Sequence, residues 1–172
     1  MTNEIRGREE IDIDASLEAV YCFRLDCLNL PQLNPAVRNV RRVDGGAEPP
    51  STGTRYLCDV DLEWGECAAT VEITEAVYPS LIVLDMQTVL RTPTGDPRRG
   101  VRSREVARFS TYPGGATHID VELTLYPADD VSAEELALLE ANAGAPINVE
   151  LIAMKLALEN RPERMEEHNA QA

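Results

Sequence analysis

The sequence has little from which to build a metal site or a nucleophilic catalytic centre. His118 and His168 are its two histidines, and its four cysteines form no CxxC pair. Structural zinc sites need closely spaced thiolate and imidazole ligands, so we expect no bound metal. His118 alternates with Asp120 and Glu122, which predicts that it faces water, away from any Ser–His–acid or Cys–His pair. There is no GxGxxG motif or phosphate-binding loop, and we expect no cofactor.

The chain is also short of positive charge and of long apolar runs. It carries 30 Asp and Glu against 16 Lys and Arg, a formal net charge of −14. Such a surface repels phosphate backbones and anionic lipid headgroups, which argues against binding to nucleic acid or to a membrane surface. No apolar run approaches the ~20 residues of a membrane span, and the N-terminus lacks the apolar core of a signal peptide. We therefore expect a cytoplasmic protein whose cysteines are reduced, buried thiols.

What the sequence does contain is a series of short alternating segments. Apolar residues make up 44% of the 172 residues, enough for one domain with its own core. We expect that domain to span 1–172, with a core at about 8–162 and a polar tail at 163–172. In the first alternating segment, Ile11 and Ile13 share the core face. The predicted strands are 9–14, 37–43, 54–62, 66–77, 81–89, 103–112 and 116–126. Short turns between them predict an antiparallel sheet.

Helical patterns flank these strands. Ser16 is placed to cap a short helix over 16–26, and the proline-rich segment 28–35 predicts a turn or a second short helix. Ser132 and Glu135 form a capping box that opens the last helix, which Gly144-Ala145-Pro146 should interrupt. Two apolar stripes follow, and together they predict burial along most of one side. They are Ile147, Leu151, Met154 and Leu158, and then Val149, Ile152 and Leu156.

The predicted fold is therefore α+β. A curved antiparallel sheet of about six to seven strands wraps around a long C-terminal helix, and two short helices follow the first strand. Three segments carry a resemblance to a known superfamily: Ile11-Asp-Ile-Asp-Ala-Ser-Leu-Glu-Ala-Val20, Leu30-Pro-Gln-Leu-Asn-Pro-Ala-Val-Arg-Asn-Val40 and Met154-Lys-Leu-Ala-Leu-Glu159. They resemble the START-like or SRPBCC superfamily, and within it the polyketide cyclase/dehydrase and lipid-transport group. Leu33 and Asn34 stand where that superfamily usually has a tryptophan.

The resemblance implies a helix-grip fold with an apolar pocket between sheet and helix, and the inward residues are small enough to leave one. Gly144 and Ala145 add slack on the helix side, although larger neighbours could instead fill the space. Tyr56 and Asn148 could each offer a polar group to a ligand or simply pack. The predicted ligand contacts are Tyr56, Cys58, Cys67, Ala69, Glu105, Ala107, Phe109, Asn148 and Ile152.

Glu105 is the one catalytic candidate. Its alternation with Ala107 turns it inward, where an apolar hollow would raise the pKa of its carboxyl and suit it to acid–base chemistry. Alternatively, Glu105 is solvated at the rim. Three functions stay open: binding or carriage of an apolar small molecule (a lipid, an isoprenoid or an aromatic or polyketide-like metabolite), a cyclase/dehydrase enzyme, and a protein-interaction module. The sequence also leaves the oligomeric state open, a homodimer included.

Overall fold

A computed structural model describes residues 4–46, 48–62, 65–90, 101–128 and 131–160. The chain forms β1 (Ile5–Ile13), α1 (Leu17–Leu25), a 3₁₀ turn (Cys27–Asn29), α2 (Leu30–Leu33), β2 (Val37–Arg42), β3 (Arg55–Leu62), β4 (Gly65–Val77), β5 (Leu81–Leu90), β6 (Val101–Thr111), β7 (Thr117–Pro127), α3 (Ala133–Asn142) and α4 (Ala145–Glu159). The predicted order of elements is confirmed. The loop expected around 91–100 lies outside the described residues.

The strands form one seven-stranded antiparallel sheet in the order β1-β7-β6-β5-β4-β3-β2. Consecutive strands pair along the chain from β2 to β7, and β1 closes the order by pairing with β7 from Ile5–Leu125 to Ile13–Thr117. The registers of β2 with β3 and of β4 with β5 each shift at one point, and such irregularities bend a strand. Alternate side chains therefore line an inner face, which the helices cover. Among the described residues no helix combines the length and the apolar character that crossing a bilayer requires.

Helix α1 shows how local sequence fixes an element. The Ser16 hydroxyl accepts a hydrogen bond from the Ala19 amide at 3.3 Å, which satisfies one of the unpaired N–H groups at the start of the helix. Val20, Tyr21 and Phe23 are buried beneath it, and so is Arg24. The predicted helix and cap are confirmed. Through Arg24, α1 also places one positively charged side chain in the interior.

Helix α4 is gripped along one stripe only. Ile147, Leu151, Met154 and Leu158 are buried against the core, as predicted. Burial of the second stripe is wrong, because Val149, Ile152 and Leu156 are 48%, 48% and 57% exposed. The two stripes lie on opposite sides of α4, and the sheet covers only one of them.

The expected interruption of the last helix is confirmed: α3 ends at Asn142 and α4 begins at Ala145. The break rests directly on β1. A Cβ added at Gly7 would lie 2.7 Å from the Ala143 carbonyl oxygen, closer than real Cβ contacts allow. The helical segment therefore approaches the sheet backbone closely at Gly7.

The outer face of the sheet is polar and carries ion pairs, such as Arg8 with Asp120 at 2.7 Å. Arg55 lies there, as expected, and donates to Glu72 at 3.0 Å. His118 is also on this face, where its Nδ1 is 2.7 Å from Asp12 Oδ1. The side chains available for internal chemistry must therefore come from the inner face.

Candidate functional site

A buried ion cluster lies where α1, β6 and α4 meet. The Arg24 guanidinium donates to the Glu105 carboxylate of β6, and its Nη2 is 3.3 Å from Glu150 Oε2 of α4. The side chains of Arg24, Glu105 and Glu150 are 5%, 15% and 16% exposed. One cation is thus shared by two carboxylates in a largely desolvated position, where unpaired charges are costly.

Asn34 completes this cluster from the turn between α2 and β2. Its Nδ2 donates to Glu150 Oε1 at 3.1 Å, and its Oδ1 accepts from the Ala36 amide at 3.0 Å. The amide group is held at both ends, so it fixes the Glu150 carboxylate from the side away from Arg24. Asn34 thereby couples the start of β2 to α4.

The surroundings shift the pKa values of the cluster. Burial raises the pKa of Glu150 above its ordinary value, Arg24 opposes that shift, and nearby Glu105 adds to it. Burial alone would lower the pKa of Arg24, but Glu105 and Glu150 together raise it. Arg24 is therefore a permanent cation, and Glu150 is the carboxyl group whose negative charge is disfavoured by its surroundings.

A small cavity adjoins the cluster. It has a volume of about 10 Å³ and is lined by Arg24, Leu33, Val121, Ile147, Glu150, Leu151 and Met154. That is room for about one water molecule. The cavity is apolar apart from Arg24 and Glu150, so these two side chains would supply the polar partners of anything held there.

The inner face is partly open beside the cluster. Met86, Ser103 and Leu125 are paired neighbours on β5, β6 and β7, and all three are partly exposed. Leu123, which is paired with Glu105, is partly exposed as well. These four side chains form a row that we call the open row. None of the described side chains of α3, the helix that precedes α4, is buried.

No family model matches the chain, and no curated protein matches it. Solved structures do share its architecture. A conserved protein from Geobacillus kaustophilus has a TM-score of 0.71 at 16% identity, over 90% of this chain and 95% of that one. A START superfamily protein from Mycobacterium smegmatis has a TM-score of 0.62 at 16% identity, over 90% of this chain and 97% of that one.

This chain has the helix-grip fold of START-like proteins. The di-domain ARO/CYC protein StfQ from the steffimycin biosynthetic pathway shares it, with a TM-score of 0.62 at 11% identity over 93% of this chain and 52% of that one. At such identities the likeness establishes the fold, and the predicted resemblance is confirmed at that level.

Six of the predicted ligand contacts lie on the inner face of this helix-grip fold and belong to its core. They are Tyr56, Cys58, Cys67, Ala69, Ala107 and Phe109. Burial raises the pKa of the Cys58 thiol to about 11, which keeps it protonated at neutral pH. The Tyr56 hydroxyl is buried with no hydrogen-bond partner among the described residues. Burial also raises the pKa of this hydroxyl. Contact of these six with a ligand stays a prediction.

Two predicted contacts do not face the interior. Ile152 belongs to the exposed stripe of α4 and not to the side that packs on the sheet, and its contact with a ligand stays a prediction. Asn148 is also exposed, and its Nδ2 donates to Glu9 Oε2 at 3.4 Å at the edge of β1. Neither residue belongs to the buried stripe of α4.

Glu105 is turned inward as predicted, but neither of its two expected environments is observed. It is not a lone carboxylate in an apolar hollow or a solvated rim residue, because Arg24 holds it. The sequence patterns do not predict Arg24, Asn34 or Glu150. A signal for Arg24 does exist, since it follows Val20 and Tyr21 by four and three residues on the buried side of α1.

Proposed function

We propose that this protein binds an apolar small molecule on the inner face of its helix-grip fold, along the open row. The observation that supports this is the partial exposure of four neighbouring side chains on the inner face, Met86, Ser103, Leu123 and Leu125. Three of the four are apolar, and apolar area removed from water contributes about 25 cal/mol per Å² to binding. The ion cluster at Glu105 adjoins the row and would orient the ligand.

Such a ligand requires more space than the described residues enclose. Ligand sites have volumes of about 300–1,000 Å³, whereas the cavity at Arg24 holds about 10 Å³. We therefore expect the inner face to open on binding, by displacement of α3. It packs on β1 without a buried described side chain, so its displacement exposes little apolar area.

Two serine substitutions on β6 test this location. Ser103 belongs to the open row, while Ser110 is exposed on the outer face of the same strand. We expect Ser103→Phe to fill the row and to weaken binding of lipid or aromatic probes by about tenfold or more. Ser110→Phe makes the same chemical change on the other face and should leave affinity unchanged. Native mass spectrometry after incubation with a lipid and metabolite extract identifies the bound class.

An equal effect of both serine variants, or no effect of Ser103→Phe on measurable binding, would exclude the open row. Failure of the wild-type protein to retain any component of the extract would exclude the function itself.

A second candidate function is catalysis of the polyketide cyclase/dehydrase kind. It is favoured by an inward carboxylate, Glu105, which adjoins both the open row and a buried guanidinium. Glu105→Gln should then abolish turnover of a polyketide-like substrate and leave its binding within about twofold. Unchanged turnover would leave carriage as the function.

Three other expectations stay predictions. They are cytoplasmic residence, the extent of the domain core at 8–162, and a homodimeric state. The related expectation that the four cysteines are buried holds for Cys27, Cys58 and Cys67 and is wrong for Cys22, which is exposed. Size-exclusion chromatography with light scattering tests the third.

A further inference from the structure

The charges of the buried cluster do not balance. Arg24 contributes one positive charge, while Glu105 and Glu150 contribute two negative charges when both are ionised. Among the described residues, no second Lys or Arg lies within ion-pair distance of either carboxylate. Asn34 donates a hydrogen bond to Glu150 but carries no charge. The cluster therefore has an unmet demand for one positive charge or one proton.

The charge that an incoming group meets first depends on which side chains of the cluster are accessible. Arg24 is 5% exposed, whereas Glu105 and Glu150 are 15% and 16% exposed. Glu105 is also paired across the sheet with Leu123 of the open row. The two carboxylates are thus the more accessible charges of the cluster, and Glu105 is the one that adjoins the open row.

We propose that the molecule bound at this site is an amphiphile whose polar end is a protonated amine, with the ammonium group at Glu105 and Glu150 and the apolar part along the open row. This inference rests on the proposed function and names its ligand class. An ammonium supplies the missing positive charge and donates hydrogen bonds to carboxylate oxygens, the stronger kind of hydrogen bond. A carboxylate or phosphate end would instead add negative charge to a desolvated negative cluster.

The raised pKa of Glu150 has the same physical origin, since it reports that burial beside Glu105 disfavours a second negative charge. An alcohol would be an intermediate ligand, because its hydroxyl donates one hydrogen bond but brings no charge. The predicted order of affinity is therefore amine, then alcohol, then carboxylate.

Three probes with the same alkyl chain test this order: decylammonium, decanol and decanoate. Binding is measured by isothermal titration calorimetry at neutral pH, below the concentration at which the probes aggregate. We expect decylammonium to bind about tenfold or more tightly than decanoate, the difference made by roughly one charged hydrogen bond.

The overall charge of −14 attracts any cation, so the preference needs a control for surface binding. Glu150→Gln removes one carboxylate from the cluster, and Glu122→Gln removes one from the exposed outer face. We expect Glu150→Gln to abolish most of the preference for decylammonium and Glu122→Gln to leave it unchanged. Glu105→Gln serves if Glu150→Gln does not fold. Added salt should weaken surface binding far more than binding at the cluster.

The outcomes separate this inference from the proposed function. If decanoate binds as tightly as decylammonium, the amine preference is wrong while binding of an apolar molecule stands. Equal loss of preference in the Glu150→Gln and Glu122→Gln variants would assign it to the surface and also overturn the inference. Binding of none of the three probes would overturn both.

Discussion

The two apolar stripes of α4 have similar composition and opposite surroundings. Ile147, Leu151, Met154 and Leu158 are buried, while Val149, Ile152 and Leu156 are about half exposed. At roughly 100° per residue the centres of the two stripes are about 160° apart, so one sheet cannot cover both. Glu150 lies beside the buried stripe and contacts Arg24. Hydropathy alone thus overstates the packed surface of α4. The side of α4 that packs on the sheet is the side on which Glu150 contacts Arg24.

The largest expected effect tests how much the ion pair between Arg24 and Glu150 of α4 contributes to stability. Arg24→Met leaves Glu105 and Glu150 buried beside each other with no cation between them. We expect the free energy of unfolding, measured by urea denaturation, to fall by about 3–5 kcal/mol. In the triple variant Arg24→Met, Glu105→Gln, Glu150→Gln, which removes all three charges, part of this loss should be recovered. A loss below about 1 kcal/mol in the single variant would show that the cluster contributes little.

The next effect compares the stripes directly. Leu151→Ala removes a buried side chain and should lower the free energy of unfolding by about 2–5 kcal/mol. Ile152→Ala, on the next residue, should change it by no more than about 0.5 kcal/mol, because that side chain is already in contact with water and alanine favours the helix. Both values come from thermal or urea unfolding monitored by circular dichroism. Similar losses at the two positions would mean that the second stripe is covered in solution.

A smaller effect concerns the place where α3 ends and α4 begins. A Cβ at Gly7 would meet the Ala143 carbonyl at 2.7 Å, so Gly7→Ala should cost about 1–3 kcal/mol of stability. Gly144 lies on the other side of the same junction, and its added Cβ would meet the flexible end of Glu9 at 2.9 Å. We therefore expect Gly144→Ala to cost much less. The reverse order in a denaturation experiment would contradict this view of the junction.

Most of the fold follows from sequence because its signals are local. Alternation places Tyr56, Cys58 and Ala107 on the inner face, and Ser16 and Gly144 mark a helix start and a helix break. Such patterns can be recognised from the two-residue repeat of a strand or from the residue types that begin and end helices.

The candidate site does not follow from sequence in the same way, because its members are far apart in the chain. Arg24 and Glu150 come from different helices, and nothing local in either segment identifies the other residue. A buried arginine among the apolar residues of α1 indicates that a carboxylate partner exists, because charged side chains are rarely buried unpaired. Its identity as Glu105 and Glu150 depends on how β6 and α4 pack in three dimensions.

The smallest expected effect is the dependence of stability on pH. It compares Glu150, which lies beside the buried stripe of α4, with a carboxyl on the outer face of the sheet. The pKa of Glu150 is raised in the folded state, so between its ordinary value of 4.5 and that raised value the folded protein holds more protons than the unfolded chain. Its contribution to stability is therefore full below the unfolded pKa and is lost as pH rises through the folded pKa.

Glu150→Gln removes this term. We expect the stability of the wild-type protein relative to the variant to fall as pH rises above about 4.5, by at most about 1.4 kcal/mol per pH unit for one proton. Glu122→Gln removes an exposed carboxyl of the outer face and is the matched control. Urea denaturation at several pH values gives the three curves. A difference between wild type and Glu150→Gln that stays constant, or that grows with pH, would show that the fold does not disfavour a negative charge on Glu150. The cluster would then have no demand for a cation.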